Sequence, residues 1–173
     1  SSPGDDEIYG LNGNDTIQGG NGDDLVYGGL DDDSLFGDAH NDLLGLYGSD
    51  TIFGEDGNDT VNAGQGTDLI YGGNGSDSIF GASEDDTIHG GNGDATLLGG
   101  SDQDLVYGDE GNDYLSEDND NDTMFGGQGN DNITGGSGDD ILFGDRGRML
   151  SFEDIGGIPT IVEALGSGGP GDV

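Results

Sequence analysis

Apolar residues return along this chain every ninth position. Ile8, Ile17, Val26, Leu35, Leu44, Ile52, Val61, Ile70, Ile79, Ile88, Leu97, Val106, Leu115, Met124, Ile133 and Leu142 each sit at the centre of a three-residue stretch. Six residues, mostly glycine and polar, separate one stretch from the next. A fixed period of this length is the mark of a repeat architecture, each repeat being one small structural unit. A triplet with an apolar centre reads as a short strand that alternates out, in, out. The chain therefore predicts about sixteen units, each a six-residue turn followed by a three-residue strand, with the eighth residue stacked inward on its neighbours. The register slips once: the segment from Gly37 to Leu44 has eight residues, which reads as a unit short of one residue.

The turns are as regular as the strands. The sixth position is aspartate in fifteen units: Asp6, Asp15, Asp24, Asp33, Asp42, Asp50, Asp59, Asp68, Asp77, Asp86, Asp104, Asp113, Asp122, Asp131 and Asp140. Ala95 is the exception. The fourth position is glycine in eleven units, with Asp31, His40, Glu84, Asp102 and Asp120 in the others. Glycine allows positive φ, so the backbone can bend tightly and aim carbonyl oxygens inward. Aspartate adds a hard carboxylate oxygen. Carbonyls and carboxylates are the oxygen donors that Ca²⁺ prefers, in shells of roughly 6 to 8.

Units such as GGNGDDLVY, GGNGSDSIF and GGQGNDNIT resemble the hemolysin-type calcium-binding repeats of the repeats-in-toxin family, whose pattern is G-G-x-G-x-D-x-U-x. The resemblance covers about residues 3 to 143. It implies an all-β fold, a right-handed parallel β-roll of about eight two-strand coils, with unit n beneath unit n+2. It also implies about a dozen Ca²⁺ between stacked turns, with the fifteen aspartates as metal ligands beside backbone carbonyls. Ala95 then leaves the sites around it weak or empty. The acids at the fourth position keep their carbonyl at the cost of a strained turn. His40 marks a distorted turn, because imidazole prefers softer metals.

Composition alone says something different. There are 38 Asp and Glu against 2 Lys and Arg, a formal net charge of -36, and only 29% of residues are hydrophobic. Such a chain has too little apolar area to offset its conformational entropy and reads as disordered. The periodic order outweighs the composition, since an acidic linker does not need an inward apolar residue every ninth position. A dozen Ca²⁺ would offset most of the charge. The same charge excludes nucleic acid as a partner and disfavours an anionic membrane surface. No apolar run approaches a transmembrane segment, and no signal peptide is visible at the N-terminus. The absence of cysteine excludes disulfides. No arrangement of Ser, His and acid supports catalysis, so no enzymatic activity and no catalytic residue are expected.

Two strands per coil split the ninth positions into two faces. Counting every unit, one face carries Gln18, Phe36, Phe53, Tyr71, His89, Tyr107, Phe125 and Phe143. The other carries Tyr9, Tyr27, Asn62, Phe80, Leu98, Ser116 and Thr134. An aromatic ladder either stabilises the coils by stacking or forms a contact face for self-association. Residues 1–143 are expected to form the calcium-binding roll. Residues 144–173 form a C-terminal cap, a linker between repeat blocks or an export signal, and the start of the chain looks cut from mid-repeat. The family implies a calcium-binding structural module that folds outside the cell after export by a type I secretion system. The alternative is an accessory module of an extracellular enzyme or toxin.

Overall fold

The computed structural model describes residues 4–38, 48–144 and 149–153. In chain order the strands are β1 (Glu7–Asn12), β2 (Thr16–Gly20), β3 (Leu25–Leu30), β4 (Ser34–Asp38), β5 (Thr51–Asp56), β6 (Thr60–Gln65), β7 (Leu69–Asn74) and β8 (Ser78–Ser83). They continue as β9 (Thr87–Asn92), β10 (Thr96–Ser101), β11 (Leu105–Tyr107), β12 (Tyr114–Ser116), β13 (Thr123–Phe125), β14 (Asn132–Thr134), β15 (Asp139–Phe143) and β16 (Met149–Glu153). Strands β1 to β15 alternate between two parallel sheets, the odd-numbered in one and the even-numbered in the other. Each strand thus pairs with the strand one coil away, Ile70 opposite Ile88 and Tyr71 opposite His89. The fold is an all-β parallel solenoid. Among the described residues no helix is long and apolar enough to cross a membrane.

The eighth residues build the interior. Val26, Leu35, Ile52, Ile70, Ile88, Leu97, Val106, Leu115, Met124 and Leu142 are fully buried in one continuous cluster. In most units up to β10 the strand outlasts the predicted triplet. It runs on through the first three residues of the next repeat, with a second inward position: Ile70 and Gly72 are both buried in β7. The first residue of the repeat therefore faces the interior, and its glycine does not serve a left-handed turn. Positive φ occurs at the second and fourth positions, as at Gly73 (112°) and Gly75 (139°).

The register slip has a different meaning from the one the spacing predicts. Val26 pairs with Ile52 and Leu35 with Val61, offsets of 26 residues rather than 18. Gly37 packs against the carboxylate of Asp50 and the carbonyl of Ala63, as Gly28 packs against Asp33 and Gly54. Gly37 and Asp38 are therefore the first two residues of the unit whose fourth to sixth residues are Gly48, Ser49 and Asp50. Residues 39–47 stand where every other unit has a single residue. An insertion inside one unit, not a shortened unit, produces the slip. Among the described residues the solenoid has fifteen repeat strands, seven complete coils and one further strand, rather than sixteen strands in eight coils. Asp42, Leu44 and His40 lie outside the described residues.

The correction moves side chains between faces. The ninth positions of the odd-numbered strands are Tyr9, Tyr27, Phe53, Tyr71, His89, Tyr107, Phe125 and Phe143, an unbroken ladder of stacked rings with centroids 4.6–5.1 Å apart. Gln18 and Phe36 belong to the other sheet, not to the ladder. Beyond β15 the direction reverses. β16 pairs antiparallel with β15, Met149 opposite Phe143 and Glu153 opposite Asp139.

Candidate metal centre

The sixth-position aspartates form two columns along the edges of the solenoid. One runs Asp6, Asp24, Asp50, Asp68, Asp86, Asp104 and Asp122, each just before an odd-numbered strand, and ends at Asp140 within β15. The other runs Asp15, Asp33, Asp59, Asp77, Ala95, Asp113 and Asp131. From the second coil onward each carboxylate reaches back one coil, beginning with Asp24 Oδ1 to the Asp6 amide and Asp33 Oδ1 to the Asp15 amide. Asp68 Oδ1 accepts a hydrogen bond from the Asp50 amide at 2.7 Å, and Asp86 Oδ1 from the Asp68 amide at 2.8 Å. The same bond crosses the insertion, from the Asp24 amide to Asp50 Oδ1 at 2.8 Å. Ala95 breaks the second column: its amide still donates to Asp113 Oδ1 at 2.9 Å, but it offers no oxygen to Asp77.

The second oxygen of these groups is different. Oδ2 of Asp15, Asp24, Asp33, Asp50, Asp59, Asp68, Asp77, Asp86, Asp104, Asp113, Asp122 and Asp131 is buried and has no hydrogen-bond partner. A buried carboxylate oxygen without a partner is costly unless a cation or a proton meets it. Burial accordingly pushes Asp24, Asp50, Asp59, Asp68, Asp77, Asp86, Asp104, Asp113 and Asp122 up from the ordinary carboxylate range, and in all of these but Asp77 neighbouring acids add to the shift. Asp86 is raised to about 8, Asp50, Asp68 and Asp104 to about 7, and Asp59, Asp113 and Asp122 to about 6.

The first-position glycines show what the carboxylates face. A Cβ on Gly28 would lie 2.5 Å from Asp33 Oδ2 and 2.7 Å from the Gly54 carbonyl oxygen. On Gly72 it would lie 2.5 Å from both Asp77 Oδ2 and the Gly90 carbonyl oxygen. A carboxylate oxygen and a backbone carbonyl oxygen from the next coil thus converge on a space that any side chain would fill. Among the described residues no three acidic or imidazole side chains converge on one point. The donor set is one carboxylate plus backbone carbonyls. Hard oxygens of this kind fit Ca²⁺ and offer nothing to a softer metal. The acids at the fourth position keep the turn: Asp31, Glu84, Asp102 and Asp120 adopt φ of 79°, 72°, 79° and 82°.

Comparison with known families follows the same columns. The model of the RTX calcium-binding nonapeptide repeat matches residues 1–35, 26–45, 37–70, 44–79, 63–97, 80–115 and 118–148. The chain belongs to this family. No individual curated protein matches the chain significantly. The structure brings fourteen of the fifteen predicted aspartates into the two columns, and Asp42 lies outside the described residues. One buried acid escaped the sequence reading. Glu117 occupies a first position, where the RTX pattern has glycine, and is 4% exposed. The available signal was strand alternation: the first position lies two residues after the inward eighth and must also point in.

Proposed function

We propose that this RTX chain is a calcium-folded structural module of a secreted or cell-surface protein. The observation that supports this most directly is the set of twelve buried, unpartnered Oδ2 atoms. About a dozen Ca²⁺, held by these oxygens and the first-position carbonyls, would neutralise the columns and tie each coil to the next. The bound ion supplies charge neutralisation and cross-linking, not chemistry on a substrate. Extracellular calcium modules bind at ~10⁻⁴ to 10⁻³ M. The chain would then remain unfolded at cytosolic calcium and fold outside the cell, which suits export in an extended state by a type I system. Calcium titration followed by circular dichroism tests the reading: strand signal and compaction should appear in millimolar calcium and vanish in excess chelator. A chain that stays compact and β-rich in chelator at pH 7.5, where the carboxylates are least protonated, sinks it.

The family supports a second role, as accessory module of an extracellular enzyme or toxin. The sequence flanking this segment distinguishes them: further repeat blocks favour a structural array, a catalytic domain the accessory role. Self-association through the aromatic ladder is a separate proposal. The continuous stack favours it by presenting ring edges along one face, and sedimentation in millimolar calcium across a concentration range tests it.

A further inference from the structure

Glu117 departs from the repeat by bringing a carboxylate into a first position, where the described units otherwise have glycine or, once, Ala63. In the regular turns the first-position glycine faces a carbonyl oxygen from the next coil. At Gly99 the nearest atoms are instead Glu117 Oε2 and Asp104 Oδ2, both of which a Cβ on Gly99 would strike. Their common approach to this point leaves the two oxygens closer together than two Ca–O bonds laid end to end, roughly 5 Å. The Glu117 carboxylate is held in place by two backbone donors, Gly99 N–H at 3.0 Å to Oε1 and Gly100 N–H at 2.9 Å to Oε2. Both acids are almost wholly buried, Asp104 at 3% exposure, and Asp104 Oδ2 has no hydrogen-bond partner. Among the described residues no cationic side chain pairs with either group.

From this geometry we propose that Glu117 Oε2 and Asp104 Oδ2 share one Ca²⁺, in a site with one more negative charge than the regular ones. Where a regular site offers a neutral carbonyl, this one offers a second carboxylate, already positioned by two amides. Ligand charge and rigidity are the two quantities that tune calcium affinity in oxygen sites. The site therefore fills before the others and orders the coils carrying β10 to β13 first. The inference rests on the calcium reading above.

Calorimetric calcium titration of the full chain and of the E117Q and E117G variants tests it. The parent should show one ion binding roughly tenfold tighter than the remainder. Both variants should lose that tight step and keep the weaker class. E117G restores the repeat's own residue, so it decides the matter if E117Q fails to fold. A tight step retained in both variants, or a parent with a single uniform class, overturns the role of Glu117 and leaves the calcium reading intact. A parent that binds no calcium overturns both.

Discussion

At Ala95 a methyl group stands in a column of carboxylates, and the residues around it are otherwise ready for a metal. A Cβ on Gly90 would lie 2.7 Å from the Gly108 carbonyl oxygen, the same arrangement that surrounds the intact sites. Ala95→Asp should restore both the bond to the Asp77 amide and the missing donor. The expected result is about one or two additional Ca²⁺ by calorimetry and a lower folding midpoint; an unchanged stoichiometry and midpoint would refute it. The converse change is Gly28→Ala, whose methyl would occupy the space shared by Asp33 Oδ2 and the Gly54 carbonyl. It should raise the calcium midpoint for folding severalfold, although alanine is the smallest side chain available. In the core, Ile70→Ala should cost about 2 to 5 kcal/mol in calcium-saturated denaturant melts, since Ile70 is fully buried between like residues. The aspartates and the eighth-position residues were plain in the sequence because period nine exposes them. Glu117 was not, because the glycine pattern reads as turn chemistry until the strand is seen to continue inward past its ninth residue.

A single element carries the largest difference between pattern and fold. Counting by nines turns the segment at residues 37–44 into a repeat, because Asp42 and Leu44 happen to fall at the sixth and eighth positions. Pairing decides otherwise, since Leu35 meets Val61 and the amide of Asp24 meets Asp50. Register in a parallel sheet is a long-range property, set by which carboxylate reaches which amide, and no local count contains it. Replacing residues 39–47 with one glycine should therefore leave a folded roll with unchanged calcium-dependent circular dichroism. Loss of folding would show that the insertion is a repeat after all. The aromatic ladder becomes continuous only under this register, and each stacked pair contributes about 0.5 to 1.5 kcal/mol beyond its area. Replacing Tyr71, Tyr107 and Phe125 with Ser should lower thermal stability by several such contacts. If the ladder also joins copies, the same variant sediments as a monomer where the parent does not.

Across the whole molecule, protons and calcium compete for the same oxygens. Burial raises Asp50, Asp59, Asp68, Asp86, Asp104, Asp113 and Asp122 to about 6 to 8 in the folded state, above the 3.8 of the unfolded chain. A raised acid stabilises the fold below its unfolded value, and that contribution is lost as pH rises through the folded one. Without calcium, the roll should therefore be most stable near pH 4 and weaken progressively toward pH 8. The calcium needed for folding at pH 7.5 should then exceed that at pH 5.5, while each ion bound at the lower pH displaces protons. Chelator melts and calcium titrations at the two values measure both; equal metal-free stability at pH 4 and pH 8 would contradict the burial of these groups. The direction of β16 has a consequence at the same scale. A parallel solenoid is a template that copies itself: each coil offers its successor, or any other molecule's first coil, the same hydrogen-bonding phase and the same row of rings. Such an object is a filament with no preferred length. A strand laid on β15 in the opposite sense presents amides and carbonyls spaced in alternating close and wide pairs. A coil added beyond that edge would have to pair antiparallel with β16, so the odd-numbered sheet no longer offers the parallel register that links one coil to the next.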